Sequence, residues 1–113
     1  MQIKFVWEKG IFLHIASLSK ELLQGLLRGK LGFNGMITTD ATNVVGFGCA
    51  GRRKELLPKS INAGCDMLLF TKNLKKDYET VLEAVKSGII SEERLNEAVT
   101  YICLLYTSDA ADD

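Results

Sequence analysis

Asp40 is the side chain best placed for covalent or acid–base chemistry. It closes the β-branched run Met36-Ile37-Thr38-Thr39-Asp40, and a glycine-rich stretch from Ala41 to Gly51 follows at once. A strand entering such a loop presents its last side chain at its carboxyl end, where α/β barrels carry their chemistry. A carboxylate there is a candidate nucleophile or general base. The same position also suits an Asp that caps a turn, so placement alone leaves both readings open. The loop carries a competing pattern. Gly46, Gly48 and Gly51 satisfy G-x-G-x-x-G, the fingerprint of a dinucleotide-binding module, with Asn43-Val44-Val45 as its strand. That module needs an acidic residue at the end of the next strand to hold the ribose. Here that place holds Thr71-Lys72-Asn73, and the strand before the motif is very short.

Other reactive residues read as structural. Cys49, Cys65 and Cys103 form no C-x-x-C pair, and His14 is the single histidine. This excludes the usual zinc spacings, so no metal is expected, and the thiols read as buried in a reducing compartment. Arg52-Arg53-Lys54 reads as the solvated start of a helix, and Trp7 as a packing residue. Asp66 begins a strand and reads as structural.

The elements that must position Asp40 follow from periodicity. Ser17 and Ser19 precede a helix with Leu22, Leu23, Leu26 and Leu27 on one face, and Gly32 is its natural stop. Met36–Asp40 reads as a strand. A helix from Arg53 to Ala63 ends at Gly64, with Pro58 either kinking it or lying in its first turn. Residues 66–70 read as a second strand, apolar on both faces, as in a parallel sheet covered by helices. A loop over 71–75 leads to a helix over 77–87, with Val81, Leu82 and Val85 inward. Ser91-Glu92-Glu93 opens a last helix with Leu95, Ala98, Val99 and Ile102 inward. The strands start about 30 residues apart with a helix between, the spacing of a βαβ unit. Two strands are too few for a complete parallel sheet, so the expectation is a part of a larger α/β protein.

The 113 residues admit one domain. With 47% apolar and 25% charged residues, the composition is that of a globular chain. The formal charge is zero. It offers no electrostatic reason to expect nucleic acid or a membrane surface as partner. No apolar run is long enough to span a bilayer, and the first residues lack the apolar core of a secretory signal, which favours the cytoplasm. The final stretch, Cys103 onward, back-translates to a string that resembles a transposase adapter from sequencing-library preparation. Residues 103–113 are therefore expected to be adapter translation, and residues 1–15 have no assigned structure. Without the tail aspartates Asp109, Asp112 and Asp113, 14 basic side chains face 11 acidic ones, a net charge of +3.

The stretch LSKELLQGLLRGKLGFNGMITTDATNVVG resembles glycoside hydrolase family 3 in its (β/α)8 barrel domain. The matching residues are Leu31-Gly32-Phe33-Asn34-Gly35, then Thr39 and Asp40, where the family has L-G-F-x-G and a strand ending in (T/S)-D. Ala63-Gly64-Cys65-Asp66-Met67-Leu68-Leu69 resembles its A-G-x-D-M-x-L strand. Lys86-Ser87-Gly88 with Ser91-Glu92-Glu93-Arg94-Leu95 resembles its K-x-G-x-I-x-x-x-R-(L/I) segment. The resemblance covers residues 16–102. It implies a partial (β/α)8 TIM barrel, last strands and helices only, with Asp40 as catalytic nucleophile. The implied activity is retaining hydrolysis of β-linked sugars without a cofactor. Thr39 and the loop around Asn43 are candidate donors or substrate contacts. The T-D-A form, without a Trp after Asp40, fits the β-N-acetylhexosaminidase-like branch better than the β-glucosidase or β-xylosidase type. The acid/base of the former branch is a His-Asp pair in a K-H-(F/I)-P-G context, which this chain lacks, and His14 reads as non-catalytic. The expected partners are a carbohydrate substrate and the missing N-terminal part of the same barrel. The chain alone is expected to be inactive.

Overall fold

The computed structural model describes residues 16–43 and 51–112. Trp7, His14, Gly46, Gly48 and Cys49 lie outside them. A single 3₁₀ turn, Ala16–Leu18, leads into helix α1, Glu21–Lys30. Strand β1 is Thr38–Ala41, helix α2 is Arg53–Ala63 and strand β2 is Met67–Leu69. Helices α3, Leu74–Lys86, and α4, Glu92–Asp112, complete the order. β1 and β2 pair in parallel. The βαβ arrangement expected from the spacing is therefore present, with both strands shorter than their apolar runs.

Ser19 caps α1 as expected: its hydroxyl accepts the Leu22 N–H at 3.3 Å. The winding of α1 was not legible. It is a π-helix rather than the 3.6-residue helix that the leucine spacing suggests. Its last turn shows this directly, with Leu31 N–H reaching the Leu26 carbonyl at 2.8 Å. Gly29 permits the wide turn. A Cβ there would come within 3.0 Å of the Gln24 carbonyl, five residues back. Gly32, at φ +70°, ends the helix.

Pro58 lies inside α2 and is buried, not in its first turn. Gly64 ends α2 at φ +133°, where a Cβ would meet the Leu23 Cβ at 3.2 Å. The glycine thus lets α1 pack against the turn into β2. α3 starts earlier than its apolar pattern suggests, because the Asn73 side chain caps it by accepting Lys76 N–H at 3.0 Å. Ser91 caps α4 in the same way at Arg94 N–H, 3.1 Å. α4 runs on to Asp112, past the point near Ile102 where the sequence pattern fades. Leu82 and Val99, expected inward, are exposed.

Three small apolar clusters hold these elements together. Leu18 packs with Leu56 and Leu57, and Leu23 with Ile37, Ala63 and Cys65. Ile61, Ala84 and Ile90 form the third, against Leu68, Val81 and Val85.

Asp66 joins the clusters by charge. Its side chain is fully buried, and its Oδ2 accepts from Arg28 at 2.8 Å and from Ile37 N–H at 2.9 Å. Its Oδ1 accepts from Arg94 at 2.9 Å. Arg94 also donates to the carbonyls of Ile61 and Cys65, and Arg28 stacks 4.0 Å from the Tyr101 ring. One carboxylate at the amino end of β2 thereby ties α1, β1 and α4 together, the structural role expected of it.

Two outcomes follow. Asp66→Ala leaves two buried guanidinium groups without their carboxylate and should cost about 3–5 kcal/mol, read by urea denaturation. Burial, with the Asp66 charge beside it, pushes the Cys65 thiol up to about 12, against a reference of 9.0. Cys103 is exposed, contrary to the expectation of a buried thiol. In a C49S background at pH 8, a thiol reagent should modify Cys103 readily and Cys65 only on unfolding; equal rates would contradict this burial.

Candidate active site

The carboxyl ends of β1 and β2 lie side by side, and their pairing is irregular. Thr38 faces Met67 while Ala41 faces Leu69, so β1 carries one residue more than β2 between the two matched pairs. Such a bulge bends a strand and re-aims a side chain, and bulges recur next to active sites. Here the extra length falls at Thr39 and Asp40. Thr39 repairs the ladder: its hydroxyl accepts the Leu69 N–H at 2.9 Å. The Thr39 side chain is accordingly buried and engaged with β2.

Asp40 is released from that ladder and exposed. Its N–H reaches the Ser17 hydroxyl at 3.4 Å, and its Oδ1 accepts the Ala41 N–H at 2.7 Å. Among the described residues no cation pairs with Asp40. Asn43, the other candidate contact, is exposed in the turn beyond β1.

The segment after β1 is held by residues that the sequence reading passed over. Thr42 is buried, its N–H bonds to Leu69 O at 3.0 Å, and its hydroxyl donates to Phe70 O at 2.8 Å. Arg53 is not a solvated helix start, unlike its exposed neighbours Arg52 and Lys54. Its Nε and Nη2 reach the Asp77 carboxylate at 2.7 and 2.6 Å. Its Nη1 and Nη2 reach Thr42 O and Oγ1 at 2.7 and 2.8 Å. Asp77 also accepts the Lys72 N–H at 3.2 Å, and Arg53 holds its carboxyl below the usual carboxylate range. One sequence cue existed. A cation at a helix amino end opposes the helix dipole and calls for a carboxylate to hold it.

Phe70 follows β2 with its backbone at φ +50° and its side chain 65% exposed. A bulky residue in the left-handed region stores strain, and such strain gathers at functional sites.

Of the dinucleotide motif, Asn43 sits in a turn beyond β1 and Gly51 is described, while Val44, Val45, Gly46 and Gly48 lie outside the described residues. Residues 70–72 beyond β2 offer no carboxylate for a ribose. Among the described residues no group of three His, Cys, Asp or Glu side chains gathers to hold a metal ion. No described helix is long and apolar enough to cross a membrane.

Residues 9–105 match the Glycosyl hydrolase family 3 N terminal domain. The chain is 45% identical over 91 residues to a beta-N-acetylglucosaminidase/beta-glucosidase of Cellulomonas fimi, covering 80% of this chain and 16% of that protein. It is 47% identical over 58 residues to a beta-hexosaminidase of Tolumonas auensis, covering 51% of this chain and 17% of the relative. Among solved structures, the beta-glucoside phosphorylase BglX bound to 2FGlc superposes with a TM-score of 0.73 at 52% identity. That likeness covers 76% of this chain and 15% of the phosphorylase. A family 3 beta-N-acetylglucosaminidase from Paenibacillus sp. str. FPU-7 gives 0.77 at 32% identity, over 87% of this chain and 19% of that one. The chain thus spans about one sixth of the Cellulomonas relative's length. With its family domain matched from residue 9 to 105 and its parallel strands superposing on solved members, this chain belongs to glycoside hydrolase family 3 and forms part of that family's α/β barrel domain.

Proposed function

We propose that Asp40 is the nucleophile of a retaining glycosidase that cleaves terminal β-linked N-acetylhexosaminides. The observation that supports this most directly is the bulge at Thr39 and Asp40, which frees an exposed carboxylate from the ladder at the strand's carboxyl end. In the first step a carboxylate oxygen of Asp40 attacks the anomeric carbon. The bond from that carbon to the leaving oxygen breaks, and an acid group protonates the departing oxygen. In the second step water, deprotonated by the same group, attacks the anomeric carbon and frees the Asp40 carboxylate.

The acid/base is assigned to barrel segments outside this chain. Leu31, Phe33, Leu74 and Ile89 are exposed apolar side chains that the rest of such a barrel would help to cover. The 113-residue chain alone is therefore inactive in this reading, and residues 16–102 are its barrel segment. The N-acetylhexosaminide preference rests on relatives named for that activity, with glucosides as the alternative.

A second reading changes only the acceptor. The structure at 52% identity is a beta-glucoside phosphorylase. Phosphate attacking the same glycosyl-enzyme would yield a sugar 1-phosphate instead of free sugar.

The test is a full-length chimaera in which residues 9–105 replace the matching segment of the Cellulomonas fimi enzyme. It should release nitrophenol from an aryl β-N-acetylglucosaminide, and Asp40→Asn should cut kcat by about 10³-fold or more. An activated fluorosugar should leave its mass on the peptide that contains Asp40. Full activity in the Asp40→Asn variant would remove the assignment. Product analysis with and without orthophosphate separates the two acceptors.

A further inference from the structure

The Arg53 cluster does no chemistry in the reaction just proposed, yet it sits against the segment that leaves Asp40. We propose that Arg53 is a positioning residue for the Asp40 carboxylate, clasping the chain beyond β1 to the chain beyond β2. The inference rests on the nucleophile assignment above.

The clasp uses four of the five N–H donors of the guanidinium. One edge faces Asp77, with contacts of 2.7 and 2.6 Å. Two further donors hold the carbonyl and hydroxyl oxygens of Thr42 at 2.7 and 2.8 Å. The Thr42 hydroxyl proton is directed to Phe70 O at 2.8 Å, and Asp77 receives Lys72 N–H at 3.2 Å. Arg53 therefore fixes backbone on both sides of the strand pair, directly at Thr42 and through its two partners at Phe70 and Lys72. Thr42 and Asp77 are buried, so water competes poorly for these bonds. Lysine carries the charge but not the planar fork, and could not hold both partners in this way.

Two features separate this from an ordinary ion pair. Arg53 opens α2, where the helix dipole disfavours a cation, so helix stability does not account for it there. Thr42 stands two residues beyond Asp40, and the Phe70 carbonyl it holds belongs to the strained residue at φ +50°. Slack at Thr42 would pass directly to the bulge. A displacement of about 1 Å at a reacting group can cost about 10²-fold in rate.

The chimaera provides the test. Arg53→Met should lower kcat on the aryl glycoside by about 10²-fold while KM stays within about threefold, and Arg53→Lys should restore only part. Thr42→Val should lower kcat in the same direction. Arg53→Met combined with Asp77→Asn removes the unpaired buried charge. It should recover much of the melting temperature but not kcat. Hydrogen exchange should rise at the amides of Thr42 and Lys72 in both Arg53 variants and stay unchanged in α1. The proposal is overturned if the double variant keeps kcat within about twofold of the parent, or if exchange at Thr42 and Lys72 does not change. Loss of hydrolysis in the unsubstituted, folded chimaera would count instead against the nucleophile reading, and the exchange data would still decide the clasp.

Discussion

The structure depends on a buried carboxylate that no single apolar cluster could replace. Asp66 stands at the entry to β2 and accepts from two arginines and a backbone N–H. Each donor comes from a different part of the chain, so one desolvated charge specifies how α1, the approach to β1, and α4 meet. The apolar clusters around it are small and lie between pairs of elements. Nonpolar burial sets no direction by itself, whereas a carboxylate with three donors accepts few arrangements.

The molecule is polarised along its strands. The amino ends carry the Asp66 hub, where the carboxylate is buried and accepts from Arg28, Arg94 and the Ile37 N–H, while Nη1 of each arginine is buried without a hydrogen-bond partner. The carboxyl ends carry the exposed Asp40, the bulge, the left-handed Phe70 and the Arg53 clasp. Strained and exposed groups collect at the second end, and buried ones at the first. This is the division of labour expected of barrel strands, with stability at one face and chemistry at the other. It supports the reading of Asp40 as nucleophile and of Asp66 as structural, although both are aspartates at strand ends.

Much of the site was readable because it is local. Asp40 at the end of a β-branched run, the serine caps at Ser19 and Ser91 and the glycine stops at Gly32 and Gly64 depend on residues close in sequence. Several features were not readable, for one common reason. The π winding of α1 shows only in its backbone bonds, such as Leu31 N–H to the Leu26 carbonyl. The start of α3 turned on the Asn73 side chain, which resembled a loop residue. Arg53 looks like Arg52 and Lys54 in the sequence, because nothing local says that one of three adjacent cations will find a carboxylate 24 positions on. The competing glycine motif is weakened by the sequence itself, which places Thr71-Lys72-Asn73 where a ribose-binding carboxylate would stand.

By itself, the sequence determined the order of elements, the parallel βαβ connection, the likeness to a glycosidase family and the identity of the carboxylate worth testing. Periodicity, caps and short motifs are written in neighbouring residues, so they survive without coordinates. Only the tertiary structure decided that β1 is bulged at Thr39 and Asp40, that the Thr39 hydroxyl bonds to β2, and that Arg53 and Asp77 fasten the two strand ends together. Those are matters of register and of partners far apart in the chain. A hydrogen bond with its strict geometry appears only when folding brings its two ends within reach.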